Sequence, residues 1–382
     1  MLACRLEQGV VVTDRLGHGF GAVAVSARVS GRCDTWFQKG DEVKVWFNRG
    51  LSNTYDALVS IRGADTGSRF ILRATHSDPL AAVAGVADEF GLEPSGMDDD
   101  AYIGWCLGQC REHRVELFVP QRRREAVAAR REAFDAIGVR LSVMGGPDIL
   151  TMVDQKHELY RDLAATGVPL PPYRVFRTAA ELDAAIAELE PVAGRLCVKP
   201  CVGVYGAGFR ILERQGCDFK RILSGDTIHM SLEAYRTALA GSAQDCDMML
   251  AAYLPGDERS VDVLAHKGRL VRAVSRVKVG THQRLETAGP SVDVAAFLTE
   301  RYGLDGVFNL QTKEKGGIQY LLEINSRMSG GLLYACLSGV PFPYWNLMLT
   351  AGLASPQDVP VPTSRKAVVP VQGCLAVTLP DS

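Results

Sequence analysis

The ten cysteines include no Cys-x-x-Cys pair, and no Cys/His cluster has metal-ligand spacing. A cysteine-based metal centre or disulfide framework is therefore not indicated, and buried free thiols in a reducing cytosol are the expected state. No apolar run reaches the roughly 18–20 residues needed to span a bilayer. The segment FGAVAVSA (20–27) faintly has the form of a secretory leader, but it is short and follows Glu7 and Asp14, so a cytoplasmic protein is expected. An excess of one charge is also missing. The 42 Lys and Arg residues against 44 Asp and Glu leave a formal net charge of −2, which excludes bulk nucleic-acid binding and leaves any anion site to local clusters. There is no internal repeat, no low-complexity tract, and no evident Ser/His/Asp or Cys/His nucleophile set. What is present is 382 residues, 47% hydrophobic and 23% charged, enough for two or three domains with a sizeable core.

Residues 1–41 show two short apolar stretches and no chemistry; they read as an N-terminal extension of unknown role. From residue 42, strands alternate with helices. VKVWF (43–47), RFILRAT (69–75), VELFVP (115–120) and VRLSVM (139–144) read as strands. Helices are expected after the Asn/Ser/Gly loop at 48–53, over 78–91 with Asp78 as N-cap, over 98–114 with acids in the first turn, and over 123–138 closed by Gly138. This alternation predicts a small parallel α/β domain over 42–148. The next region, 149–355, reads as α+β. It contains a helix over 151–167, a Thr178/Glu181 capping box, and a strand RLCVKP (195–200) running into a Gly-rich loop. Three strands over 248–280 and a hairpin over 306–327 turning at Gly316-Gly317 follow, then a short helix over 330–340. A Pro-rich linker and last strand occupy 356–382.

The stretch YLLEINSRMSGG (320–331) carries the main chemical signal. Side chains alternate along a strand, so Glu323 and Asn325 share a face while Leu322 and Ile324 point to the core. Folding the hairpin about Gly317 places Gln311 opposite Glu323. One carboxylate and two amide oxygens form a hard-oxygen set that suits Mg²⁺ completing its shell with phosphate and water. Arg327 has the same parity and could fork onto a phosphate oxygen. The alternative is a solvated surface hairpin. Three other segments bear on the choice. Lys199, followed by Gly203, Gly206 and Gly208, could cover phosphates. The Pro-Gly turn in AAYLPGDE (251–258) could be a hinge whose backbone meets a purine edge, with Glu258 accepting from ribose hydroxyls. Lys156 is a second candidate phosphate lysine. Each taken alone also fits an ordinary turn or a solvated lysine.

In this order the residues resemble the ATP-grasp superfamily. The ending Gln…Glu-x-Asn-x-Arg is similar to carbamoyl phosphate synthetase and its relatives, and VWFNRGLSNTYDAL (45–58) further resembles ATP-grasp proteins of tellurite-resistance and stress operons. The resemblance implies a pre-ATP-grasp, Rossmann-like domain followed by two α+β subdomains, about 149–253 and 254–355, with ATP between them. It implies that Lys156 and Lys199 contact the phosphates, that the 203–208 loop closes over them, and that the backbone at Tyr253 and Leu254 meets adenine. Gln311, Glu323 and Asn325 would hold Mg²⁺ or Mn²⁺, and Arg327 would meet the transferring phosphoryl group. One departure stands out: Ala251-Ala252 occupy the hinge where many relatives carry an acid.

Family members typically activate a carboxylate as an acyl phosphate that an amine or thiol attacks. The implied function is thus an ATP-dependent carboxylate–amine ligase acting on small molecules, with neither nucleic acid nor membrane as partner and a homodimer left open. On the acceptor side, Arg272, Arg276 and Lys278 share strand parity near the expected cleft, and Ser329 precedes a short helix; these would receive an anionic carboxylate, or else form an exposed cationic strand face. Rival readings are a small-acid kinase and a nucleotide-binding scaffold without turnover.

Overall fold

The computed structural model describes residues 42–50, 53–203, 206–216, 218–242, 246–363 and 367–371. The expected N-terminal extension and most of the last expected strand lie outside the described residues. Five strands form a parallel sheet: β1 (Val43–Phe47), β2 (Phe70–His76), β3 (Glu89–Leu92), β4 (Leu117–Val119) and β5 (Arg140–Leu141), in the order β3-β2-β1-β4-β5. A second sheet contains β6 (Tyr173–Phe176), β7 (Leu196–Pro200), β8 (Arg210–Glu213), β9 (His229–Ser231) and β10 (Met248–Ala252), ordered β6-β10-β7-β8-β9 and antiparallel except between β8 and β9. The third sheet is antiparallel: β11 (Glu258–His266), β12 (Arg269–Val279), β13 (His282–Glu286), β14 (Gly306–Lys315), β15 (Ile318–Asn325) and β16 (Ala367–Val368), ordered β15-β14-β11-β12-β13-β16. A parallel α/β sheet followed by two α+β sheets is the architecture expected from the sequence.

Two continuous cores run through the first and third sheets. Trp46 stacks on Phe118 at 4.2 Å in a core that continues through Leu150 and Val153 to Val261, Phe308 and Leu310. On the other side, Val45, Phe47 and Leu72 share a core with Leu264, Val274 and the helix Phe342–Thr350, which the sequence reading did not identify. The second sheet has its own clusters, built around Phe176, Leu182, Ile186 and Val198 on one face and Tyr160, Cys197, Ile211 and Met249 on the other. Burial of apolar surface thus unites the first and third sheets and leaves the second resting over the third.

Several local expectations are corrected. Residues 78–91 do not form a helix; a short 3₁₀ turn (Ala82–Gly85) leads into β3. Leu72 and Asp88 exchange bonds there: Asp88 N donates to Leu72 O, and Leu72 N donates to the Asp88 carboxylate, both at 2.7 Å. Sheet pairing overrides the helix propensity of the alanines. The helix expected over 123–138 is two pieces, Arg124–Ala128 and Arg131–Asp135. Arg123 is left-handed (φ 51°), its guanidinium bonded to Asp98 O and lying 4.7 Å from the Tyr102 ring. Arg130 is non-helical and pairs with Asp100. The helix over 151–167 breaks at Gln155 into Pro147–Asp154 and Lys156–Leu163, because Lys156 N donates outward to Cys201 O at 3.0 Å. The capping box forms as expected, with Thr178 Oγ1 accepting from Glu181 N.

Candidate active site

A cavity of about 720 Å³ lies between the second and third sheets. Its floor is the face of three adjacent strands. In β14 and β15, Gln311 stands opposite Glu323 and Asn309 opposite Asn325; in β11, Ser260 stands opposite Gln311 and Asp262 opposite Asn309. The turn that sets this register contains Gly316 (φ 63°) and Gly317 (φ 80°), a left-handed pair that glycine adopts without strain. A bulge between Gln311 and Thr312 then shifts the pairing by one residue at Leu322. The expectation that Leu322 faces the core is therefore corrected: Leu321 and Ile324 are buried in the core, while Leu322 lines the cavity.

The bulge has a second consequence. It turns consecutive carbonyls toward the helix Lys156–Leu163, where Tyr160 Oη donates to Leu321 O at 2.8 Å and to Leu322 O at 3.0 Å. Lys199 Nζ lies 3.4 Å from Leu322 O and 5.6 Å from the Tyr160 ring. Burial holds the Lys199 ammonium below the usual lysine range, opposed by Glu323 and reinforced by Lys156.

Lys156 is buried rather than solvated. The break at Gln155 sets it at the start of its helix, where Nζ donates to Gly203 O at 3.1 Å and pairs with Glu323 Oε2 at 3.2 Å. Glu323 Oε1 accepts from Asn325 Nδ2 at 3.2 Å, and Asn325 Oδ1 lies 3.5 Å from Arg327 Nη2. Among the described residues no group of three or more His, Cys, Asp or Glu could hold a metal ion. The donor set on this floor is instead one carboxylate with neighbouring amide oxygens. That chemistry fits a hard cation taking most of its ligands from phosphate and water.

Gly203 and Gly206 line the cavity, whereas the expected third loop glycine, Gly208, does not. It has φ 76°, and a Cβ there would lie 2.8 Å from Pro200 Cγ. Residues 204 and 205 at the loop tip lie outside the described residues. Between the end of β10 and the start of β11, Tyr253, Leu254 and Glu258 line the cavity. Tyr253 N already donates to Arg195 O at 2.8 Å, so a base edge there would have to use neighbouring groups rather than that N–H. The Tyr253 ring lies between Arg195, at 4.9 Å, and Lys313, at 5.6 Å.

The cationic strand face expected to receive an anion is redistributed. Arg272 does not line the cavity, because its guanidinium donates to the carbonyls of Val359 and Pro360. Lys278 is exposed outside it. Arg276 is 7% exposed and fully engaged: Nε pairs with the fully buried Asp262 at 2.7 Å, Nη1 donates to Gln283, and Nη2 donates to Ser260 and Ser329. Of the acceptor-side residues, Ser329 lines the cavity.

Sequence reasoning missed Asn309, Lys313, Cys197, Ile211 and His229, all of which line it. Ala251, Cys197, Ile211 and His229 form one paired row across β10, β7, β8 and β9. His229 Nδ1 lies 2.9 Å from Asp226 Oδ2. Asn309 had a legible signal, since it shares parity with Gln311. His229 had none, because the stretch before it carries no clear period.

Residues 244–374 match the family described as ATP-grasp in the biosynthetic pathway with Ter operon. Comparison with curated proteins gave no match. Among solved structures, N5-carboxyaminoimidazole ribonucleotide synthetase in its ADP complex aligns with TM-score 0.60 at 13% identity, covering 85% of this chain and 79% of that one. The biotin carboxylase domain dimer of Hydrogenobacter thermophilus 2-oxoglutarate carboxylase, in complex with MgADP, ADP and bicarbonate, aligns with TM-score 0.55 at 15% identity, covering 81% and 69%. L-amino acid ligase from Bacillus licheniformis aligns with TM-score 0.53 at 13% identity, covering 81% and 75%. At these identities the likeness is one of fold. Residues 244–374, which include most of the third sheet, thus match an ATP-grasp family, and along most of its length the chain shares the fold of these solved structures.

Proposed function

We propose that the protein is an ATP- and Mg²⁺-dependent carboxylate–amine ligase. On this reading residues 42–148 are the pre-ATP-grasp domain, and the subdomains 149–253 and 254–355 enclose the nucleotide. The observation that carries the reading is the cavity itself. Gln311, Glu323 and Asn325 lie on its floor, and Lys156 reaches Glu323 directly beneath the Gly203 carbonyl.

The chemistry follows from the charges. A phosphoryl group moves from ATP to a carboxylate oxygen: the bond to the bridging β-oxygen breaks, a bond to the carboxylate oxygen forms, and ADP leaves. The amine then attacks the acyl carbon, inorganic phosphate departs, and the nitrogen gives up a proton. Positioning and charge neutralisation carry such steps. Lys156 and Lys199 would hold the phosphates, and Arg327 would face the group in flight. Bound to Gln311, Glu323 and Asn325, Mg²⁺ or Mn²⁺ would neutralise charge on the phosphate oxygens. Leu254 and Leu322 would flank the base, with Glu258 near the ribose. Arg276 is already neutralised by Asp262, so on the acceptor side it would orient Ser329 rather than bind an anion itself. The free cysteines among the described residues suit a reducing cytoplasm.

The test is ATP turnover across a panel of small acids and amines, with product masses read directly. A ligated product that requires both partners and a divalent cation is expected. Release of ADP with an acyl phosphate and no ligated product would instead mark a small-acid kinase. Tight ATP binding without turnover under every pairing would mark a scaffold.

A further inference from the structure

The turn after β15, residues 326–329, carries Arg327 into the cavity, and its neighbours are gripped from elsewhere in the fold. Ser326 is 4% exposed; its Oγ accepts from Arg124 Nε at 3.0 Å and donates to Asp154 Oδ1 at 3.3 Å. Arg124 is itself fixed, pairing with Asp154 at 3.5 Å and donating from Nη1 to Gln121 O at 2.7 Å. Two residues on, the Met328 carbonyl accepts from Asn53 Nδ2, at the start of the helix Asn53–Ala64. Ser329 Oγ accepts from Arg276 Nη2 at 3.0 Å. Gly331 allows this approach: a Cβ there would lie 2.2 Å from Arg276 Nη1.

Arg124 and Asn53 both belong to the first sheet's layer, more than two hundred positions away in sequence. Their anchors fall on the two sides of Arg327, at positions 326 and 328. We propose that Arg124 and Asn53 are positioning residues that set the aim of Arg327, so that the N-terminal α/β layer completes the phosphoryl-transfer site without touching the nucleotide. The inference rests on the nucleotide reading given above. A misplacement of about 1 Å at a reacting group can cost on the order of 10²-fold, so two anchors bracketing one guanidinium form an effective lever.

The consequence is selective. Groups that hold the nucleotide, Lys156, Lys199 and the glycine loop, are fixed by other contacts, so ground-state MgADP binding should not depend on Arg124. Binding of a mimic of the group in flight should. The experiment is calorimetric titration of the full chain with MgADP alone and with MgADP plus aluminium fluoride, using wild type, Arg124→Ala, Arg124→Lys, Asn53→Ala, Arg327→Ala and the Arg124→Ala/Arg327→Ala double variant. Thermal unfolding of each variant is recorded alongside.

Arg124→Ala and Asn53→Ala are expected to keep MgADP affinity within about twofold while losing at least tenfold with aluminium fluoride present. Arg124→Lys should recover part of that loss, and the double variant should lose no more than Arg327→Ala alone, because both act through one group. Equal weakening of both titrations, no weakening of either, or losses that multiply in the double variant would overturn the inference. Should Arg124→Ala fail to fold, Arg124→Lys still decides, since it keeps the charge and loses the guanidinium geometry: fluoride-dependent weakening is expected, and unchanged binding would overturn. If wild type binds no MgADP, the nucleotide reading itself falls and takes this inference with it.

Discussion

Lys156 Nζ and Glu323 Oε2 are 3.2 Å apart, joining the helix that follows the Gln155 break to β15, an edge strand of the third sheet. The pair spans the cavity and shows what a metal ion would displace: Glu323 spends one carboxylate oxygen on Lys156 and the other on Asn325. Glu323→Ala should therefore lower Mg²⁺-dependent turnover by about 10²–10³-fold, the order seen when a preorganised charge-stabilising group is removed. It should also leave Lys156 buried without its carboxylate. Steady-state ATP turnover titrated with Mg²⁺ checks this; unchanged metal dependence would reject the metal assignment.

Lys199 gives a prediction with a sign. Burial depresses its pKa, so the free protein holds it partly neutral at alkaline pH. A triphosphate brought against it favours the ammonium. Nucleotide binding should take up a proton there, and affinity should fall as pH rises through the depressed pKa. Calorimetry in buffers of different ionisation enthalpy measures the uptake, and Lys199→Met should abolish it. For the free protein, the unfolded chain binds the extra proton between the depressed and ordinary lysine values. Stability from this group therefore rises with pH across that window.

Gly208 should tolerate no side chain. Its φ of 76° and the 2.8 Å approach of a Cβ to Pro200 Cγ both oppose alanine. Gly208→Ala should destabilise by about 1–3 kcal/mol through local strain and raise the KM for ATP, because the loop it positions is the one beneath which Lys156 reaches Gly203. Chemical denaturation and an ATP titration check the two parts separately.

Asp154 should make acid stability depend on Ser326's surroundings. Burial, with Glu125 beside it, raises its carboxyl to about 6. The folded chain then binds more protons than the unfolded chain between about pH 4 and 6, so this group's contribution falls as pH rises through that window. Asp154→Asn should flatten that part of the profile relative to wild type, measured by denaturant midpoints at closely spaced pH. An unchanged difference between pH 4.5 and 7 would contradict it.

Much of the site was legible because it depends on local rules. A Gly-Gly turn fixes the hairpin, parity puts Glu323 and Asn325 on one face, and Gln311 follows by counting. The count also needed the bulge at Leu322, which nothing in YLLEIN announces and which reverses where Leu322 points. β3 was misread because alanine-rich composition favours helix, while the deciding bonds come from Leu72, sixteen residues earlier. Lys156 is a candidate phosphate lysine by its place in the order of motifs, but taken alone it also fits a solvated helix lysine, because the break at Gln155 that buries it is made by a distant carbonyl at Cys201. Arg272 and Arg276 share parity and charge, and no local rule separates them. Their different fates are set by Val359 and Pro360 for one and Asp262 for the other. Non-local partners are what periodicity cannot see.

The Arg276–Asp262 pair yields the last prediction. Both groups are almost wholly inside the protein, and every nitrogen of the guanidinium has an acceptor. Removing one partner leaves a buried charge uncompensated, which typically costs about 3–5 kcal/mol, whereas replacing both with apolar groups of similar volume costs far less. Asp262→Ala should therefore lower the denaturant midpoint more than the double change Asp262→Leu/Arg276→Met does. Asn309 adds to the single variant's loss, because its Nδ2 donates to Asp262 Oδ1 at 3.0 Å. The double variant should recover stability without recovering turnover, since Ser329 and Ser260 lose the donor that orients them. Recovery of both would mean that Arg276 serves packing alone.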